Sequence, residues 1–328
     1  MATPAMLHEE RRGTSAPSRP AKPERPWIQA VLLLLTFFST TVVGMRYMVN
    51  FQQGRFPLSS DADVFPFRWV CANLSHFALG LPFSLTLLGT LLTHEFGHYF
   101  ACRAYGIRVS MPYLIPAPSL SGTAGAVIRL KSRVKSRSAL LSIGAIGPVV
   151  GFLVALVMAC IGRTLSRQVP VEPQKLVSFQ SPLLFKLLPH LLGAGSNLPL
   201  DAPLLWHPIF VASWIGILIT SLNLLPAGQL DGGHILYSLS PRIHRVATYI
   251  VMAILVYLGV MHWLGWLFWV GLLSLPGMRH PAIRYTDPLP QPKVLWLAPV
   301  ALAILVLTAM PEPFTRSSLL DIIVRIRH

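Results

Sequence analysis

The chain has 328 residues, of which 53% are hydrophobic and only 12% are charged, and its mean hydropathy is +0.58. Soluble domains carry about twice that share of charged residues, so this composition excludes an ordinary soluble protein and indicates an integral membrane protein. The formal net charge is +15, but no nucleic-acid recognition motif accompanies it. We therefore expect the basic residues to meet the lipid bilayer, and we expect no nucleic-acid partner.

The chain divides into a tail, a membrane body and a second tail. Residues 1–26 are polar, basic and rich in proline, which predicts a disordered N-terminal tail. Long apolar runs then alternate with polar connections through residues 27–310, and residues 311–328 form a C-terminal tail. This pattern predicts an all-α polytopic membrane protein with about six or seven transmembrane helices. Three of them form the predicted core, at about residues 75–101, 139–162 and 207–232.

Two stretches of the body depart from simple spans. Residues 106–137 follow the second span and lack a helical period, and their Pro, Gly and β-branched residues predict a small membrane-associated β region. Residues 246–276 are apolar and long enough for two short spans or one tilted span. Most Lys and Arg residues fall in segments on the same side as the N-terminus. We therefore predict a cytoplasmic N-terminus, with the second and fourth spans ending on the cytoplasmic side.

The second span ends in the sequence HEFGH, residues 94–98. His94 and His98 are four residues apart, so both imidazoles lie on one face of a helix and can bind one metal ion. Glu95 lies on a neighbouring face, where it can take a proton from a metal-bound water. Zinc accepts histidine nitrogen readily, and catalytic zinc sites use three protein ligands and a water. The motif therefore predicts one zinc ion per chain and a third ligand elsewhere.

Asp231 is the best candidate for the third ligand. It lies in NLLPAGQLDGGH, residues 223–234, at the predicted cytoplasmic end of the fourth span, whereas the other acidic residues fall in tails, in a proline-rich loop or across the bilayer. Pro226 and Gly228 interrupt a helix there, and irregular backbone at membrane depth is tolerated where it lines a cavity. His234 is an alternative third ligand that the spacing does not exclude.

These motifs resemble those of the site-2 protease family of intramembrane zinc metalloproteases. The matching elements are HEFGH, the sequence GPVVG in the third span (147–151), and NLLPAGQLDGGH. Residues 122–132 are also similar to the segment that follows the first motif in bacterial and chloroplast members. Many relatives insert a PDZ domain between the motifs, but the connection 163–206 is too short for one. The glycines of GPVVG are interpreted as close helix packing rather than direct chemistry.

The resemblance implies a set of roles. Zinc would be bound by His94, His98 and Asp231. Glu95 would be the general base, and Asn223 would help to hold the scissile carbonyl or its oxyanion. The reaction would be hydrolysis of peptide bonds within or next to the transmembrane segments of protein substrates, at the cytoplasmic side of a bacterial inner membrane.

Two other function classes fit parts of the pattern. Ionisable residues in spans also mark ion pathways, so a membrane metal transporter or sensor is one alternative. A catalytically inactive relative that acts as a membrane chaperone is the other. The polar residues gather at one depth, which argues against transport, and the intact Glu95 argues against inactivity. The sequence identifies neither the substrate nor the oligomeric state.

Overall fold

A computed structural model describes residues 26–58, 66, 73–169, 179–192, 204–275, 280 and 287–315. The helices in these ranges are α1 (Pro26–Gln52), α2 (Leu81–Ala104), α3 (Arg137–Leu165), α4 (Leu183–Leu192), α5 (Pro208–Asn223), α6 (Asp231–Leu239), α7 (Pro241–Met261), α8 (Gly265–Ser274), α9 (Pro292–Leu295) and α10 (Leu297–Thr308). Two antiparallel sheets pair β1 (Tyr113–Pro116) with β2 (Thr123–Val127), and β3 (Arg167–Gln168) with β4 (Leu204–Leu205). Of the predicted tails, residues 1–25 and 316–328 lie outside this part.

Four described helices are long and apolar enough to cross a membrane. They are α1, α3, α7 and the continuous segment Ser75–Ala104, in which a 3₁₀ helix (Leu74–Gly80) leads into α2. The helices α5, α8 and the run Pro292–Thr308 are apolar but shorter. The predicted helical membrane fold with a small β region is therefore confirmed, whereas the count of six or seven spans is not. The apolar stretch 246–276 contains the end of α7 and all of α8.

The predicted core span 207–232 is divided in two. Helix α5 ends at Asn223, and α6 begins at Asp231. Pro226 has no N–H to continue the ladder, and Gly228 has a φ of 56°, a left-handed conformation that glycine adopts without strain. The turn is tight, because a side chain at position 232 would collide with the carbonyl oxygen of Leu224. Asp231 therefore opens a new helix instead of ending an old one.

The β1–β2 hairpin is fastened to α1. The hydroxyl of Ser39 donates to the carbonyl of Gly122 at 2.6 Å, and the hydroxyl of Tyr47 donates to the carbonyl of Leu120 at 2.8 Å. Gly122 has a φ of 75° and lies against the backbone of Ser39, so the turn requires a residue without a side chain. These bonds tie the turn of the hairpin to the helix through its carbonyl groups.

One apolar core joins α2, α3 and α5. Phe83 and Leu87 of α2 and Trp214 of α5 are all fully buried in it. Lipid tails are as apolar as these side chains, so close packing rather than exclusion of water holds such helices together. Helix α3 contacts α2, α5 and α6. It therefore lies between the helix that carries HEFGH and the helix that carries Asp231.

Candidate metal centre

The HEFGH sequence occupies the last turns of α2, with all three ionisable side chains directed into the protein. His94, Glu95 and His98 are 3%, 6% and 5% exposed. The two imidazole rings lie with their centroids 4.8 Å apart, as the four-residue spacing on a helix requires. Buried ionisable groups cost free energy unless they are paired or bound to a metal.

Asp231 brings a carboxylate to both imidazoles. Its Oδ2 lies 3.2 Å from His94 Nε2 and 3.3 Å from His98 Nε2. Among the described residues, these three form the group whose ligand atoms all lie within 4.8 Å of one another. Two ligands bound at about 2.0–2.1 Å to one tetrahedral ion are themselves about 3.3 Å apart. Two imidazoles and one carboxylate at this spacing fit zinc and leave a fourth position for water.

His234, the alternative third ligand, lies outside this group. Its Nδ1 is 3.1 Å from Nε2 of His280, so its ring is engaged in a different contact. Asn223 is the last residue of α5 and is partly buried. It precedes the turn that leads to Asp231, and its predicted catalytic role stays a prediction.

The main chain of α3 orients one imidazole. Nδ1 of His98 donates to the carbonyl of Ile143 at 2.6 Å, which places the lone pair of the ring on Nε2, the nitrogen nearest Asp231. Metal-binding histidines commonly make such a bond, which fixes their tautomer and orientation. No spacing rule in the sequence identifies Ile143 as a partner.

The hairpin reaches the general-base candidate. The backbone of Ile128, the residue after β2, lies close to the carboxylate of Glu95. The sequence predicts a β region after the second span but not this contact. The end of the hairpin is therefore part of the surroundings of this carboxylate.

A row of glycines on α3 makes room for the centre. A Cβ built on Gly147 would lie 2.6 Å from Cδ2 of His98 and closer still to Nε2, and one on Gly151 would lie 2.9 Å from Cβ of His94. A Cβ on Gly144 would lie 2.8 Å from the carbonyl oxygen of Asp231. The predicted close packing by these glycines therefore takes place against the metal-binding candidates themselves, because each glycine faces one of them.

Asp287, which the sequence places in a proline-rich loop, has a structural role that its sequence context does not indicate. Its carboxylate accepts hydrogen bonds from the backbone N–H of Arg137 at 2.8 Å and the hydroxyl of Ser136 at 3.0 Å. It thus supplies acceptors at the start of α3, where helix N–H groups lack partners. Partial burial acts to raise the pKa of Asp287, but these hydrogen bonds outweigh it and lower the pKa.

Comparison with known proteins agrees with this geometry. The model of peptidase family M50 matches residues 82–265, which include both motifs. The chain is 33% identical over 193 residues to probable zinc metalloprotease EGY2, chloroplastic, of Arabidopsis thaliana, covering 57% of this chain and 33% of the relative. It is 36% identical over 159 residues to probable zinc metalloprotease EGY1, chloroplastic, of the same plant, covering 47% and 28%.

A relative in Oryza sativa subsp. japonica, also named probable zinc metalloprotease EGY1, chloroplastic, is 34% identical over 162 residues, or 48% of this chain and 27% of that protein. The chain therefore spans about a third or less of the length of these relatives. No solved structure matches it. The family match extends over more than half of the chain and through α2, α3, α5 and α6, so this apolar, multi-helix protein belongs to peptidase family M50, the site-2 protease family.

Proposed function

We propose that this chain is a zinc metalloendopeptidase that hydrolyses peptide bonds within or next to transmembrane segments of other membrane proteins. The observation that carries the proposal is the convergence of His94, His98 and Asp231 at the buried end of a helix long enough to cross a membrane. The names of the relatives, probable zinc metalloproteases, support the same chemistry. Zinc, when bound by these three residues, supplies a water of lowered pKa and polarises the scissile carbonyl.

Glu95 performs the proton transfers in this proposal. Its carboxylate accepts a proton from the attacking water and returns it to the amine nitrogen that leaves. Asn223 donates its side-chain N–H to the oxygen on which negative charge develops.

Substrate binding uses the hairpin. A transmembrane helix satisfies its own backbone hydrogen bonds, so its carbonyls become available only after local unwinding. The unwound segment then pairs with the free edge of β2, as in other cases of strand addition. Because β2 ends one residue before Ile128, a substrate strand on this edge passes beside Glu95. The partners are therefore transmembrane proteins, and the lipid bilayer surrounds the reaction.

The location of the reaction is part of the proposal. Most Lys and Arg residues lie on the predicted N-terminal side, which supports a cytoplasmic N-terminus and an active site toward the cytoplasm. We place the protein in a bacterial inner membrane, whereas the relatives named above are chloroplastic.

The test is cleavage of a single-span substrate by purified protein. Glu95→Gln keeps the shape of the side chain but removes its ability to accept a proton, so we expect zinc content to be unchanged and cleavage to fall by about 10²–10⁴-fold. Glu312→Gln is the matched control, because Glu312 contacts His262 near the far end of α7. Cleavage by Glu95→Gln at the rate of the Glu312→Gln control would refute the proposal.

A further inference from the structure

A cavity of about 460 Å³ lies beside the metal centre, between α6, α7 and α8. Its lining changes character along α7. His244 and Arg245, in the first turns of the helix, line one end. Met252 lies two turns further along, and Leu273 of α8 also lines the cavity. The cavity therefore has a basic, hydrogen-bonding end and an apolar end.

The position of α7 shows how the basic and apolar ends of the cavity are placed relative to the membrane. α7 is one of the helices that can span a bilayer, and its first residue is Pro241. Arg245 is therefore within about 6 Å of the end of the span, at the level of lipid headgroups, and Met252 is about 10 Å deeper. Arg245 is exposed, and no ion pair with another described residue is found for it. A cationic side chain at this depth attracts anionic headgroups.

We propose that this cavity binds the phosphate headgroup of an anionic membrane lipid. The guanidinium of Arg245 contacts the phosphate oxygens, for which its planar array of donors is suited. Tyr249 lines the cavity between Arg245 and Met252, about one turn of α7 deeper than Arg245. A cavity of 460 Å³ is too small for a whole phospholipid, so it holds the headgroup and the first carbons of a chain, which lie against Met252 and Leu273.

The cavity is connected to the turn that carries Asp231. Gly228, which lines the cavity, accepts a hydrogen bond from Nε2 of His244 at 3.0 Å, and its N–H lies 3.3 Å from the hydroxyl of Thr248. His280 also lines the cavity and contacts His234. A bound headgroup at His244 and Arg245 therefore stabilises the turn that positions Asp231. The proposal itself concerns binding and does not depend on proteolysis.

The test measures lipid binding to the full chain in detergent, by native mass spectrometry during titration with phosphatidylglycerol or with phosphatidylcholine. We expect phosphatidylglycerol to bind more tightly, and Arg245→Ala to weaken it about fivefold, the effect of one basic residue near an anionic surface. Arg242→Ala is the matched control: Arg242 is exposed on the same helix, three residues away, but does not line the cavity. We expect its affinity to equal that of the wild type.

Variants that fill the cavity distinguish binding inside it from general attraction of anionic lipid to the basic surface of the protein. Met252→Trp fills the cavity and leaves every charge in place, and we expect it to abolish tight phosphatidylglycerol binding. Ser274→Trp, on the opposite wall, is a second filling variant for the case in which Met252→Trp does not fold. Equal weakening by Arg242→Ala and Arg245→Ala would overturn the proposal, and so would equal affinity for the two lipids or undiminished binding in a folded filling variant. Inorganic phosphate at millimolar concentration is the competitor that distinguishes the two sources of phosphate. If it binds the wild-type protein as tightly as phosphatidylglycerol does, the assignment to a lipid is overturned.

Discussion

Adding one methyl group to α3 tests whether its glycines set the geometry of the metal centre. The substitution is Gly147→Ala. The new Cβ would lie 2.6 Å from Cδ2 of His98 and nearer to Nε2 and Cε1, whereas carbon atoms in contact rest about 3.5–4.0 Å apart. The imidazole must therefore shift by about 1 Å, or α2 and α3 must separate. Overpacking of this kind costs about 1–3 kcal/mol.

The same substitution is expected to weaken zinc binding. Metal–ligand distances in working sites hold to about ±0.2 Å, so a shift of His98 by several times that amount removes it from the ion. We expect the zinc affinity to fall by at least 10–100-fold, the range found when the groups that orient a ligand are altered. The assay is competition against a chromophoric chelator with purified protein in detergent.

Two matched variants complete the series. Gly151→Ala brings a Cβ 2.9 Å from Cβ of His94, a less severe contact, so its loss of affinity should be smaller. At Gly89 on α2 an added Cβ meets nothing within 4 Å, so Gly89→Ala should leave zinc binding unchanged and stabilise the helix by about 0.5–1 kcal/mol. If Gly147→Ala binds zinc as tightly as Gly89→Ala, the glycine row does not position the ligands and the reasoning fails.

Two further predictions concern single carboxylates. Zinc analysis should find Asp231→Ala depleted and His234→Ala near one ion per chain, because Asp231 groups with both imidazoles in the described part of the chain and His234 does not. The opposite pattern would assign the third ligand to His234. Asp287→Asn should lower the melting temperature at pH 7, and the difference from the wild type should shrink as the pH falls below about 3.9. A lowered folded pKa stabilises above the unfolded pKa of about 3.9, and the stabilisation is lost as pH falls through the folded value. A difference that persists at low pH would contradict this account.

The parts of the fold that the sequence predicts well depend on local chemistry. Apolar runs of span length predict α1, α3 and α7, and the change of composition after residue 105 predicts the hairpin. The HEFGH spacing places two imidazoles together because helix geometry alone determines it. The proline and the glycines in residues 223–234 mark the interruption, although a hydropathy window extends the span across it.

The parts that the sequence does not predict depend on contacts between distant segments. Ile143 acts through its backbone carbonyl, and Ile128 approaches Glu95 with its backbone; every residue possesses these groups, so side-chain identity gives no signal. Asp287 lies 150 residues from Arg137, and only the folded chain brings its carboxylate to the start of α3. The predicted six or seven spans exceed the four long apolar helices described for a physical reason as well. The helices α5, α8 and α10 are apolar but short, and composition does not distinguish short spans from buried helices.

The break between α5 and α6 also changes the electrostatics of the third ligand. Had α5 continued to residue 232, Asp231 would lie at a helix C-terminus, where the unpaired carbonyls repel a carboxylate. Because α5 ends at Asn223, Asp231 is instead the first residue of α6, and the partial positive charge of a helix N-terminus favours its ionised form by about 0.3–1 kcal/mol. A metal ligand must be deprotonated to bind. The turn at Pro226 and Gly228 therefore provides both direction and charge: it points the carboxylate back toward α2 and places it at the helix end that keeps it anionic.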